Sequence, residues 1–188
     1  MSADNDKDSL RKSARARRMK AHELNGEGAA CALAGHVLTL LENKPVTTIA
    51  GYWAIGSEID VTPLMIQLVE KGWDVALPVV VKNAEPLVFR RWSAGDVLID
   101  GPLKTVQPKA ERDEVVPDVI LTPLLAFDRH GYRLGQGGGF YDRTLAKLKE
   151  AGGVVSIGVA FVAQRVEQVP RDDFDQRLDF IVTEQGSI

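Results

Sequence analysis

"VTTIAGYWAIGSEIDVTPLMIQLVEKGWDVALPVVV", Val46–Val81, changes its character twice. Val46–Ile55 is rich in β-branched and aromatic residues and reads as a buried strand. "GSEID" supplies a loop. Thr62 then precedes Pro63, an N-cap followed by the favoured first helical residue. Leu64, Met65, Leu68 and Val69 make one apolar helix face, and Gly72 stops the helix. Asp74–Val81 returns to a strand, with Pro78 pointing to an irregular or edge position because proline has no N–H. A strand, a helix and a strand within about 35 residues form a βαβ unit with parallel strands.

Upstream, residues 1–6 are polar and expected to fray. Lys7 to about Met19 reads as a helix, with Lys7, Arg11, Arg15 and Arg18 on one cationic face. That face is either solvated or turned toward an anion. A second helix fits Glu27–Glu42, where Leu33, Val37, Leu40 and Leu41 form the core stripe. His36 beside it is expected to be structural. Cys31, the only cysteine, is expected to be a small buried hydrophobe. Asn43, Lys44 and Pro45 end the helix.

Downstream, Pro86–Trp92 is a further candidate strand, although Trp92 has no evident role. Residues 93–114 look like loops. Asp118–Phe127 is a continuous apolar run, and Phe127–Leu134 fits a small hairpin around "DRHG". A later helix carries Phe140 or Tyr141, Leu145 and Leu148 on one face and ends at Gly152 and Gly153. "VVSIGVAF" and Arg177–Thr183 read as the last two strands. No repeat or second domain is evident, so residues 7–188 are expected to form one domain.

The totals narrow the function. A chain of 188 residues with 23 Lys and Arg against 26 Asp and Glu has a formal net charge of −3. That balance argues against a general nucleic-acid binder. One cysteine excludes an internal disulfide and suits a reducing cytoplasm. No apolar run reaches the ~18 residues of a membrane span. The N-terminal arginines and serines suggest a transit peptide, but Asp4, Asp6 and Asp8 argue against one.

Between the hairpin and the helix lies "RLGQGGGFYDR", Arg133–Arg143, with four glycines in the five positions 135–139. Such a loop is either a tight connector using positive φ or a place where a ligand approaches the backbone. The spacing does not match G-x-G-x-x-G, and no Walker motif occurs in the chain. The remaining functional reading is a phosphate cradle. Amides of Gly137–Gly139 and the following helix dipole face one anion, and Arg133 supplies the flanking cation. Asp142 in the first helical turn either favours the dipole or, beside a polyphosphate, holds Mg²⁺.

These residues resemble the signature of the 5-formyltetrahydrofolate cyclo-ligase family, Arg-Leu-Gly-x-Gly-x-Gly-Tyr-Tyr-Asp, with Phe140 in place of the first tyrosine. "KDSLR" (Lys7–Arg11), "SEIDVTPL", "VALPVV", "DVILTPLLAFDRHGYRLG" and "RLDFIVT" are similar to further family segments in the same order, although Val61 is an extra residue before Thr62. The resemblance implies a single three-layer α/β domain with a central, largely parallel sheet flanked by helices. It implies Mg²⁺- and ATP-dependent conversion of 5-formyltetrahydrofolate to 5,10-methenyltetrahydrofolate, with release of ADP and phosphate.

By the same resemblance, ATP contacts Lys7, Arg11, Arg133, Leu134, Gly135, Gln136, Gly137, Gly138, Gly139, Phe140 and Tyr141. Arg133 and Tyr141 are the catalytic candidates. Trp53 and Glu58 contact the folate, and Asp142 with Asp179 hold the metal. Trp53 has a core-packing alternative, Glu58 a solvated one, and Phe140 and Tyr141 either line the folate pocket or anchor their helix. The expected partners are small molecules only, with no nucleic acid or membrane, acting on a cytoplasmic monomer. A sugar-phosphate or acyl-transfer enzyme of related build is the main rival reading, and a non-catalytic folate or nucleotide binder the second.

Overall fold

The computed structural model describes residues 3–44 and 47–188. Met1, Ser2, Pro45 and Val46 lie outside the described residues. The expected fraying of residues 1–6, the helix stop at Pro45 and the strand start at Val46 therefore fall partly beyond description. The chain opens with α1 (Ala3–Leu41), interrupted at Asn25 by non-helical angles of φ −163° and ψ 51°. The two expected helices are thus one element with a joint. Gly26 and Gly28, poor helix formers, follow that joint directly.

The βαβ unit is present as β1 (Thr48–Ala50), α2 (Thr62–Glu70) and β2 (Asp74–Val79), with Thr48 opposite Asp74 in parallel register. β1 is much shorter than the apolar run suggests. From Gly51 the chain leaves the sheet, and the Tyr52 hydroxyl donates to the Ile59 carbonyl at 2.8 Å to close the loop. The α2 cap is Val61 rather than Thr62; Thr62 is helical and donates its N–H to the Asp60 carboxylate at 2.8 Å.

β3 (Val88–Trp92) runs antiparallel to β2, and Trp92 is buried in the core opposite Val75. Residues 93–114 are more than loop. They contain a hairpin of β4 (Ile99–Asp100) and β5 (Val106–Gln107), then lead to β6 (Glu114–Val115) on β3. β7 (Val119–Pro123) is central, and β8 (Ala126–Phe127) with β9 (Arg133–Leu134) forms the expected hairpin. α3 (Phe140–Glu150), β10 (Val155–Val159) and β11 (Phe180–Thr183) follow. β12 (Gly186–Ser187) turns back on β11, so β11 is not the last strand.

The main sheet has the order β12-β11-β10-β7-β1-β2-β3-β6. Its inner strands β11, β10, β7, β1 and β2 are all parallel. Alternate residues face opposite layers. Ile49, Val75, Leu121 and Val159 pack with Leu33 and Val37 of α1 and Leu64 and Leu68 of α2. Ala50, Ala76, Ile120 and Ile181 pack with Leu145 of α3. The result is helix, sheet, helix. Both sheet faces are covered, which explains why the strand sequences are continuously apolar. Pro78 is tolerated because pairing with β1 stops at Ala76, so β2 has one neighbour there. Cys31 corrects an expectation: it is exposed on α1, since the core stripe passes through Ala30, Leu33 and Ala34 instead. No helix among the described residues is long and apolar enough to cross a membrane.

The topology also chooses a location. From β1 the chain crosses over α2 to β2 on one side, and β7 then enters on the other side of β1. Ligands of open parallel sheets bind at the carboxyl ends of strands at such a reversal. Two segments leave the sheet there. One follows β1 and carries Trp53 and Glu58. The other follows β7 and carries the β8–β9 hairpin and the glycine loop.

Candidate active site

Gly137 and Gly139 have φ of 106° and 64°, the left-handed region, and Gly139 caps α3. A Cβ on Gly138 would lie 2.8 Å from the Phe140 ring, and one on Gly139 2.6 Å from the Arg143 guanidinium. The positive φ at Gly137 and Gly139 favours glycine there, whereas the Arg143 guanidinium beside Gly139 is a flexible end that could move. No side chain caps the first turn of α3. The backbone N–H groups of Gly137, Gly138 and Gly139 donate to none of the described residues. Gln136, Gly137 and Gly138 are exposed. The segment therefore presents amide hydrogens and a helix N-terminus to solvent, the arrangement that suits an anion.

The cationic face of α1 is only partly solvated: Arg15 is exposed, whereas Lys7 and Arg18 are buried. Lys7 is buried and its ammonium donates to Asp172 at 2.8 Å and Asp175 at 2.6 Å. Burial pulls the Lys7 pKa down, but the bonds and charges of Asp172 and Asp175 outweigh it and leave the amine above its usual value. Asp172 is correspondingly held below the usual carboxylate range, chiefly by the Lys7 hydrogen bond. Arg11 donates to the Gly135 carbonyl at 3.2 Å and pairs with Asp8 at 2.5 Å. Arg15 donates to Gln136 Oε1 at 2.9 Å. Arg18 donates to Ser57 Oγ and Glu58 Oε1, both at 3.2 Å. One helix face thus touches three loops: the acidic segment before β11, the glycine loop and the loop after β1.

Arg133 is 6 % exposed. Its guanidinium donates to Asp142 Oδ1 and to the Gln176 carbonyl, each at 2.8 Å. The Gln176 N–H donates to the same Asp142 oxygen at 3.0 Å. Asp142 Oδ2 accepts no hydrogen bond among the described residues, and the Asp142 side chain is partly exposed. Among the described residues no three His, Cys, Asp or Glu side chains form a metal-binding group. A Mg²⁺ ion held by one carboxylate and phosphate oxygens needs no such group, so Asp142 fits that donor role.

Glu58 is 7 % exposed; besides Arg18 it accepts the Ile55 N–H on Oε2 at 3.0 Å. Burial pushes the Tyr141 phenol above its usual pKa, the Glu58 charge adds to this, and Arg133 opposes it. Tyr141 therefore lies within electrostatic reach of both Glu58 and Arg133 and stays a protonated donor at neutral pH. Trp53 is 39 % exposed, so it offers an open ring rather than core packing.

Residues 3–184 match the 5-formyltetrahydrofolate cyclo-ligase family. The chain belongs to this family. A 5-formyltetrahydrofolate cyclo-ligase of Escherichia coli K12 is 38 % identical over 141 residues, covering 72 % of this chain and 77 % of that protein. The solved 5,10-methenyltetrahydrofolate synthetase of Aquifex aeolicus superimposes with a TM-score of 0.75 at 32 % identity, covering 96 % of this chain and 91 % of that one. The corresponding synthetase of Mycoplasma pneumoniae gives 0.76 at 26 % identity, with 95 % and 99 % covered. Cyclo-ligase membership makes the chain an enzyme, a ligase of folate one-carbon metabolism, with the expected α/β fold.

Within this cyclo-ligase framework most of the expected site residues converge. Arg11, Arg133, Gly135–Gly139, Phe140, Tyr141 and Asp142 surround the glycine loop, and Trp53 and Glu58 share the loop after β1. Two stand apart. Leu134 buries its side chain with Ala14, Leu125 and Val169, leaving only its backbone toward the loop. Asp179 is not brought to Asp142; its Oδ2 accepts from the Ser156 N–H at 2.8 Å and hydroxyl at 2.7 Å, near the start of β10. Sequence reasoning missed Arg143, which folds over Phe140 and donates to the Gly138 carbonyl at 2.6 Å. It also missed Asp172, Asp175 and Gln176. The acidic run "RDDFD" just before Gln176 was the available signal for the two aspartates, since so many carboxylates together call for a cation, whereas Gln176 acts through its backbone, which no sequence signal marks.

Proposed function

We propose that the protein converts 5-formyltetrahydrofolate to 5,10-methenyltetrahydrofolate using ATP and Mg²⁺, releasing ADP and phosphate. The observation that carries this reading is the single cationic face of α1. It meets the glycine loop through Arg11 and Arg15 and the Glu58 loop through Arg18. A phosphate cradle and a carboxylate suited to a pterin thus lie along one helix.

The formyl carbon is a poor electrophile, and its oxygen is a poor leaving group. Transfer of the γ-phosphoryl group to that oxygen converts it into a phosphate ester. N10 then bonds to the formyl carbon, loses its proton, and phosphate departs. This transfer depends on positioning and charge neutralisation more than on covalent help. The amides of Gly137–Gly139, with Lys7, Arg11 and Arg133, hold the polyphosphate. Asp142 would hold the Mg²⁺, which would neutralise phosphate charge. Tyr141, kept protonated, donates a hydrogen bond toward oxygen at the reacting centre. Trp53 and Glu58 hold the pterin, the ring by its face and the N–H groups by the carboxylate.

Product formation tests the reading. The methenyl chromophore should appear in the near ultraviolet only when ATP is added, and its appearance without ATP contradicts the proposal. Glu58→Gln removes charge from one substrate's contact alone. It should raise the folate KM about tenfold and change the ATP KM less than about twofold. Equal changes in both would contradict the assignment. Asp142→Asn should raise the Mg²⁺ concentration for half-maximal rate by about 10–100-fold, and an unaltered metal titration would remove Asp142 from the metal site.

A further inference from the structure

The fourth cation of the α1 face does something different from the other three. Lys7, Arg11 and Arg15 meet the acidic segment and the glycine loop. Arg18 is 6 % exposed and reaches the loop after β1 instead. Its planar guanidinium makes two bonds with a fixed angle between them, Nε to Ser57 Oγ and Nη1 to Glu58 Oε1. A point charge cannot reproduce that fork.

Glu58 is 7 % exposed, so its polar partners come from the protein and not from bulk water. Each of its oxygens has one donor from the protein, Arg18 on Oε1 and the Ile55 N–H on Oε2. A carboxylate has about four acceptor positions. Both oxygens therefore keep a lone pair for a ligand. The α1 helix sets the distance: eleven residues from Lys7 to Arg18 span about 16 Å at 1.5 Å per residue. The helix that anchors the nucleotide side also fixes where the carboxylate sits.

We infer that Arg18 is the positioning residue for Glu58, orienting its carboxylate to accept the N–H groups of a pterin ring. The inference rests on the reading of Glu58 as a folate contact. Arg18 touches neither the phosphates nor the reacting carbon; it acts through Glu58.

The test uses Arg18→Met, Arg18→Lys, Glu58→Gln and the Arg18→Met/Glu58→Gln double variant. Binding of 5-formyltetrahydrofolate without ATP is followed by tryptophan fluorescence, with the KM for each substrate and thermal unfolding measured alongside. Arg18→Met should weaken folate binding up to about tenfold, as Glu58→Gln does, with the ATP KM within about twofold. Arg18→Lys should recover part of the loss. In the Glu58→Gln background, Arg18→Met should add less than about twofold, because the two residues act as one unit. A general structural defect would instead weaken both substrates and add fully to Glu58→Gln.

If Glu58→Gln weakens folate binding but Arg18→Met does not, the inference fails and the folate role of Glu58 stands. If Glu58→Gln leaves folate binding unchanged, that role fails first and the inference with it. Should Arg18→Met not fold, Arg18→Lys carries the test: the folate KM should rise about threefold at constant ATP KM, and an unchanged folate KM overturns the inference.

Discussion

Gly137→Val should abolish measurable ATP binding while the protein stays folded. Gly137 has φ of 106°, a backbone region that a β-branched residue strongly resists. Its Cβ position lies 3.5 Å from the Arg11 guanidinium, so a branched side chain also displaces the cation nearest the loop. Gly137 is exposed and carries no core contact. The strain therefore costs the fold only about 1–3 kcal/mol, and the loop relieves it by moving. Movement turns the amide hydrogens away from their common target. ATP affinity should fall at least about 100-fold. Calorimetric titration with an ATP analogue, beside a thermal unfolding curve, checks both halves. Near-native affinity in a folded variant would show that the loop is only a connector.

Arg133→Ala should lower kcat/KM for ATP by about 10²–10³-fold and leave binding of 5-formyltetrahydrofolate within about twofold. Arg133 is the best-held cation at the loop, with Asp142 and the Gln176 carbonyl as partners and little exposure. Its loss removes a fixed charge that needs no rearrangement when charge develops on the transferred group. It also releases Asp142 from the ion pair that orients it, so the apparent Mg²⁺ requirement should rise together with the ATP KM. Steady-state kinetics with each substrate varied in turn, and folate binding without ATP, separate these effects. A variant that loses folate binding as strongly as ATP turnover would contradict a phosphate-side role.

The fold was legible where burial dictates pattern. The βαβ unit follows from Val46–Val81 because a strand covered on both faces must be continuously apolar, and because Pro63 and Gly72 punctuate the helix between. The same rule overextends β1. Gly51, Tyr52 and Trp53 are as strand-like as Ile49 by composition, yet β1 ends at Ala50, and only the position of the strand end in the sheet reveals this. β4, β5, β6 and β12, two residues each, carry too little pattern to be seen.

The site was legible where chemistry leaves an unusual composition. Four glycines before Phe140 mark the loop, and the four-residue spacing of Lys7, Arg11 and Arg15 marks the cationic face. What that face touches was not legible, because it depends on loops more than 100 residues away, as in the 124-residue separation of Arg11 and Gly135. Asp179 illustrates the limit. Its acidic strand context matches a motif, but pairing with Ser156 is decided by sheet register, which sequence spacing does not encode.

The most direct test follows one oxygen atom. If the γ-phosphoryl group moves to the formyl oxygen before N10 closes the ring, that oxygen must leave with the phosphate. Substrate carrying ¹⁸O in the formyl group, turned over with ATP and Mg²⁺, should yield labelled phosphate in amounts equal to the methenyl product and the ADP formed. Label found in water, with unlabelled phosphate, would mean that ATP is cleaved without activating the formyl group, and the account would be wrong.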